Sequence, residues 1–305
     1  MDRRQLLTSL VGGLLGGVAL PLRARAQQTD VIRLSDRLLL VTIGRTNVLT
    51  LATPDDGLVL VDSGVPERTD SLLGSLRQLA DGRRVVKAFN THWHLENTGA
   101  NEALRQDGAA IVAHENTRLW MATPVWVPSE DRYRSPRPKQ AQPTETFRGD
   151  GSTSAGGERI DYGYLIDAHT SGDIYVFFRD ANVLAIGDVA SPARDPELDY
   201  FTGAWIGGRL DALTRLLALA NDATRIVPGY GPVMTRVELQ AERDMMKTLY
   251  DRAVDRVRQG DDADDMLKAD VMKDLARTFK DPRKFLYDVN KGLWAHHNKL
   301  NPNVV

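Results

Sequence analysis

The sequence predicts an α/β sandwich: two sheets packed face to face, helices outside, and a helical C-terminal extension. Three observations predict it. Strands and helices alternate from Val31 to Val227. The order strands, helix, strands recurs in that span, which suggests two similar halves. From Val237 to the end the chain turns helical and highly charged. At 305 residues, 42% apolar and 26% charged, the composition excludes disorder and fibrous architecture. The absence of cysteine excludes a disulfide scaffold, an iron–sulfur centre, a thiol nucleophile and any thiolate-bound zinc. With 39 basic and 41 acidic residues the net charge is -2, no electrostatic footprint for nucleic acid.

The N-terminus reads as a leader. Arg3-Arg4 precede an uncharged, largely apolar stretch, Leu6 to Leu20, shorter than the about 20 residues that span a bilayer. Pro21 and Ala24-Arg25-Ala26 follow as a small-x-small cleavage pattern, so residues 1–26 are expected to be removed. The paired arginine resembles the signal for export of folded proteins, which predicts a periplasmic protein with no stable membrane anchor once the leader is cut. Residues 1–26 carry four Arg and one Asp, so the mature chain has 35 basic and 40 acidic residues, net -5.

Element by element, Val31 to Ser63 is β-branched and apolar, broken by Ser35-Asp36, Gly44-Arg45 and Pro54-Asp55-Asp56-Gly57, and reads as an antiparallel meander. Residues 66–80 set Leu72, Leu73, Leu76 and Leu79 at helical spacing. Arg84–Asn90 reads as a strand, 97–106 as a short helix, Ala109–Ala113 as a strand, with a helix from about Glu115. Residues 123–157, with Pro124, Pro128, Pro136, Pro138, Pro143 and a Gly-Ser-Thr-rich end, lack periodicity and read as one long loop. Strands return at 159–166, 174–178 and 182–186, then a helix at about 206–220 and a strand at 225–227. Leu239, Met246, Leu249, Val254 and Val257 give the C-terminal part amphipathic helices with charged outer faces. The cluster Asp261, Asp262, Asp264, Asp265 reads as a helix start, where negative charge is favoured.

The chemistry concentrates after the strand at 84–90. In Thr91-His92-Trp93-His94-Leu95-Glu96-Asn97 an extended backbone sets His92, His94 and Glu96 on one side. Imidazole and carboxylate are the natural ligands for zinc and its neighbours in a chain without cysteine. His169 follows a strand and opens His169-Thr170-Ser171-Gly172-Asp173, and Asp188 ends the strand Asn182–Gly187. Three histidines at strand ends with one open position is the layout of a catalytic zinc site.

The ordered motifs VLVDSG (59–64), THWHLEN (91–97), AHTSGD (168–173), AIGD (185–188) and VPGYGPV (227–233) resemble those of the metallo-β-lactamase superfamily. The resemblance runs from about 31 to 235 and implies the αββα sandwich, a domain at 27–236 and an extension at 237–305. It implies hydrolysis of lactams, esters, thioesters or lactones with one or two zinc ions. His92, His94 and His169 match the family's first metal site, and Asp62 matches a structural turn residue. At the second site Glu96 replaces an aspartate, Asn97 and Tyr230 replace histidines, and Asp188 alone matches. One zinc is therefore expected and a second is doubtful; an all-oxygen set would suit a harder cation.

Two kinds of function follow. One is a zinc hydrolase of a small-molecule substrate, in which Glu96 or Asp188 orients water and takes its proton while Tyr230 donates to the oxyanion or leaving group. Its second ion is either missing or held weakly by Glu96 and Asp188. The other is a catalytically degenerate binding or accessory protein of a periplasmic oxidation pathway. Trp120 and Trp126 are expected as a lid or a pin for the long loop, and Tyr200, Phe201 and Trp205 as an alternative substrate wall. Trp93 is expected to pack, His114 to be structural, and His296 and His297 to be solvated.

Overall fold

The computed structural model describes residues 30–54, 56–127 and 131–300; the expected leader at 1–26 lies outside them, as do Asp55 and 128–130. The opening meander forms where its turn clusters predict. β1 (Asp30–Arg33), β2 (Leu38–Ile43), β3 (Thr46–Ala52) and β4 (Leu58–Val61) pair antiparallel in chain order. α1 (Thr69–Leu79) crosses over and returns the chain as β5 (Val85–Phe89), parallel to β4. After α2 (Leu95–Thr98) and α3 (Asn101–Gln106), β6 (Ala110–His114) adds parallel to β5.

Residues 123–157 are not one loop. Beyond α4 (Glu115–Ala122), β7 (Val125–Val127) and β8 (Arg132–Arg134) pair with each other. β9 (Glu145–Phe147) joins β6 as the edge of the first sheet, and β10 (Gly151–Ala155) opens the second. Strands of three residues carry no periodicity of their own. In β10, Gly-Ser-Thr-Ser-Ala is extended because its backbone pairs with β11 (Glu158–Tyr164), against its composition.

β12 (Ile174–Phe178) and β13 (Val183–Gly187) continue the second sheet antiparallel, and α5 (Ile206–Leu219) crosses to β14 (Arg225–Pro228), parallel to β13. The second half thus repeats the first: antiparallel strands, one helix, one parallel strand.

The pleat sorts side chains between three apolar layers. Along β4, Val59 and Val61 enter the layer between the sheets, against Ile174, Val176 and Phe178 of β12. Leu58 and Leu60 turn to Leu72 and Leu76 of α1. Tyr175 and Phe177 turn the other way, to Leu213 and Leu216 of α5. That outer layer also takes Met246 and Leu249 of α6 (Arg236–Arg258) and Leu286 and Val289 of α8 (Pro282–Ala295). These helices have sequence-coded starts. Thr235 and Glu238 form a reciprocal capping box, and Asp262 caps α7 (Ala263–Lys268) by accepting from Asp264 N and Asp265 N, which explains the acidic cluster. Among the described residues no helix is long and apolar enough to cross a membrane.

Candidate metal centre

The predicted site residues leave the C-terminal ends of strands or the turns beside them. His92 and His94 follow β5, His169 lies between β11 and β12, Asp188 follows β13 and Tyr230 follows β14. Two buried carboxylates shape these turns. Asp62, at φ 62 after β4, accepts from Thr91 N (2.8 Å), Thr91 Oγ1 (2.8 Å) and Asn97 Nδ2 (2.9 Å), pinning the segment that carries His92 and His94. Asp173 accepts from His169 N (2.6 Å) and Thr170 N (2.7 Å), folding the turn that presents His169. Burial pushes both carboxyls up to about 7 against these hydrogen bonds. Gly99 closes the same region: a Cβ there would lie 2.3 Å from Pro66 N.

The three imidazoles converge. Their ring centroids lie 4.8 Å apart in every pair, nearly perpendicular to one another. One ring nitrogen of each points inward, all within 4.8 Å of one another. The outer nitrogens are engaged: His92 Nδ1 with Thr91 Oγ1 (3.1 Å), His94 Nε2 with Asp199 Oδ2 (3.1 Å), His169 Nδ1 with the Glu197 carbonyl (2.9 Å). Such outer bonds fix ring orientation and turn the other nitrogens inward, where His94 Nδ1 and His169 Nε2 lie 3.0 Å apart and share a proton that a metal ion would displace. His92 Nε2 is buried without a partner, an orphan that a metal ion would satisfy. The residues therefore fit a metal. Without one, a proton resides on His94. Burial opposes it, but the Asp199 carboxylate, with Glu96 and Glu197 nearby, carries the pKa up to about 9. Burial and neighbouring positive charge push His92 and His169 down.

Glu96 does not continue the extended run. The backbone is extended at His94 (φ -61, ψ 148) and helical from Leu95, so Glu96 sits in α2 and its Oε1 lies 3.8 Å from Arg194 Nη1. Asp188 is closer to the histidines, its Oδ2 3.9 Å from both His92 Nε2 and His169 Nε2. The same oxygen accepts a hydrogen bond from Arg194 Nη2. Tyr230 lies under that guanidinium, 4.9 Å from Cζ to ring centroid, and its hydroxyl accepts from Arg45 Nη1 at 3.2 Å. Arg194 thus touches three of the four residues that the resemblance sets at a second metal. Among the described residues, the cluster of metal-ligating geometry is His92, His94 and His169.

A cavity of about 780 Å³ opens beside this group. His94 and Glu96 line it, whereas Asp188 and Tyr230 do not. Both expected aromatic sets are in its walls: Trp120 and Trp126 from one side, Tyr200 and Phe201 from the other, with Trp93 and Tyr287. Trp205 is instead buried, stacked on His296 at 4.7 Å, because it caps α5 beneath the C-terminal helix. His296 is therefore packed, not solvated, while His297 is exposed. His114 is structural: it caps α4, meets the Arg148 carbonyl and stacks on Tyr164 at 3.8 Å.

Sequence reasoning missed Asp199, Glu197 and Arg194, all in the connection after β13. For Asp199 no spacing signals a partner 105 residues from His94. For Arg194 a signal existed: Glu96 and Asp188 without histidine partners call for a cation, and Arg194 is the first basic residue after Asp188.

Residues 41–266 match the sequence model of the metallo-beta-lactamase superfamily. A type 2 metallo-beta-lactamase of Bacillus cereus is 24% identical over 202 residues, 66% of this chain and 73% of the relative. A metallo-beta-lactamase from Pontibacter korlensis superposes with TM-score 0.59 at 22% identity, covering 72% of this chain and 99% of its own. A double mutant of the sec-alkyl sulfatase PisA1 reaches TM-score 0.65 at 12% identity, over 88% of this chain and 50% of its own. Ordered strand-end motifs, a three-histidine group where they meet, and a match over most of its length make this chain a member of the metallo-β-lactamase superfamily.

Proposed function

We propose that this is an exported, periplasmic hydrolase with one zinc ion at His92, His94 and His169, acting on a small-molecule ester, lactone, thioester or lactam. The observation that carries the reading is the triad itself: inward nitrogens with every outer nitrogen bonded, opening at His94 into an aromatic-walled cavity. The chemistry such an ion supplies is Lewis acidity, toward a substrate carbonyl and toward water. The remaining work falls to side chains. Asp199 holds the His94 ring in the tautomer that frees Nδ1, and the Glu197 carbonyl does the same for Nε2 of His169. Glu96, on the cavity wall, accepts the proton of the attacking water as its oxygen bonds the acyl carbon, and then delivers that proton to the leaving oxygen, sulfur or nitrogen. Asp188 orients the water from the other side. The tryptophans and tyrosines exclude bulk solvent and hold the substrate's apolar body.

The test pairs elemental analysis of chelator-free mature protein with a panel of a chromogenic lactam, a nitrophenyl ester, a lactone and an acyl thioester, His94→Ala alongside. One equivalent of zinc and His94-dependent turnover of one class is the expected result. Turnover surviving His94→Ala sinks the mechanism. Tight zinc with no turnover of any class moves the protein to the accessory-binding reading.

A further inference from the structure

We propose that Arg194 is the second cation of this centre: its guanidinium takes the place of a second metal ion, so that the chain supplies from its own side chain the charge that another member would recruit from solution. Four residues stand where the superfamily resemblance implies a second metal, and Arg194 engages three. Nη2 donates to Asp188 Oδ2, Nη1 lies 3.8 Å from Glu96 Oε1, and the guanidinium plane covers Tyr230 at 4.9 Å. The fourth, Asn97, has its amide nitrogen committed to Asp62 at 2.9 Å, and its Oδ1 is buried without a partner. A divalent ion and a guanidinium cannot share two carboxylates this close without like-charge repulsion. An arginine keeps its charge at every working pH and forks between two acceptors, so it holds Asp188 in one orientation beside the imidazoles.

The position of Arg194 is built, not incidental. Its carbonyl accepts from Arg277 Nη1 at 3.1 Å, and the carboxylate of the next residue, Asp195, accepts from Lys280 N and Asp281 N, each at 2.8 Å. The segment before α8 therefore straps the Arg194 loop from outside. This gives the C-terminal helices a place in the chemistry of the centre: they set the cation that completes it.

The experiment is a metal count. Mature wild-type protein, Arg194→Gln and Arg194→Ala are equilibrated with zinc, their zinc content is measured, and each is titrated with manganese(II) under electron paramagnetic resonance. Manganese is the probe because Glu96, Asp188 and the Asn97 amide are oxygen donors. Wild type is expected to take up no manganese in the micromolar range. Arg194→Gln and Arg194→Ala are expected to gain one equivalent, bound about a hundredfold tighter than by wild type. Adding Asp188→Asn to Arg194→Gln should abolish the gain. A wild type that binds manganese as tightly as the variants, or variants that gain none, overturns the proposal. Circular dichroism of both variants establishes that each is folded, and the longer, polar Gln variant keeps the test open if Ala is not. The inference goes beyond the hydrolase reading and is separable from it. A wild-type zinc count of zero ends that reading alone, because the manganese difference between Arg194→Gln and wild type still reports on Arg194.

Discussion

Two corners of one strand-end platform solve the same electrostatic problem in opposite ways. At the first, three imidazole nitrogens face inward with their outer nitrogens bonded to Thr91, Asp199 and the Glu197 carbonyl, and the corner takes its cation from outside, a metal ion or, without one, the proton on His94. At the second, two carboxylates face a guanidinium from their own chain. The first corner is complete only with an ion, as the unpartnered His92 Nε2 makes plain. The second is already complete. The difference teaches that a metal site can lose its ligands without leaving its carboxylates uncompensated, provided a loop can bring a fixed cation to them.

The strongest way to break the comparison is to remove a donor from the first corner. His169→Ala should lose tight metal binding and lower turnover by roughly a thousandfold, since two imidazoles cannot hold the ion or its geometry. Zinc retained at one equivalent would mean that the triad is not the metal's home. Next in size is the strap. Glu242 is buried between two arginines, Oε2 2.9 Å from Arg277 Nη2 and Oε1 3.6 Å from Arg209 Nη2. Arg209, fully buried, in turn bonds Ser191 Oγ (3.0 Å) and the Glu197 carbonyl (3.2 Å), so one carboxylate anchors the loop that serves both corners. Glu242→Ala leaves two cations unpaired and should cost about 3–5 kcal/mol in denaturant unfolding. A loss under about 1 kcal/mol would show that the loop is held by its own packing instead.

How far the sequence carries a reader differs between the corners for a physical reason. His92 and His94 were legible because an extended chain repeats every two residues, and His169 and Asp188 because apolar runs end where they begin. The meander, α1 and α5 were legible from periodicity. Glu96 was misdirected because a one-turn helix, which carries no period, starts at Leu95 and swings its carboxylate to Arg194. The β7–β9 stretch failed likewise: three-residue strands are decided by the edge they meet, as β9 is by β6. Glu197 and Asp199 lie on an irregular connection where no local pattern encodes position; Arg194, on the same connection, is signalled only as the first basic residue after Asp188, and its placement is set by distant partners such as Arg277.

Smaller changes sharpen the comparison. Asp199→Asn weakens the acceptor that orients His94 without touching an inward nitrogen, and should lower zinc affinity by about 10–100-fold in competition with a chromophoric chelator. The manganese response of the second corner should be unchanged by it. If Asp199→Asn also opened manganese binding, the two corners would be one coupled field and their separation would fail.

The smallest expected effect is at Arg45, and it decides whether contact or mere proximity of positive charge matters. Arg45 is exposed and reaches the second corner only through the Tyr230 hydroxyl, at 3.2 Å, with no carboxylate between. Exposed cations act weakly because water and salt screen them, so Arg45→Ala should change unfolding stability by less than about 0.5 kcal/mol. Manganese affinity should stay within about twofold of wild type, since the charge removed is screened and touches neither Glu96 nor Asp188. An Arg45→Ala variant that gained manganese as Arg194→Gln is expected to do would assign the effect to the general field of two arginines. The hydrogen bond to Asp188 would then lose its special standing, and the second corner would be an ordinary basic patch beside a metal site.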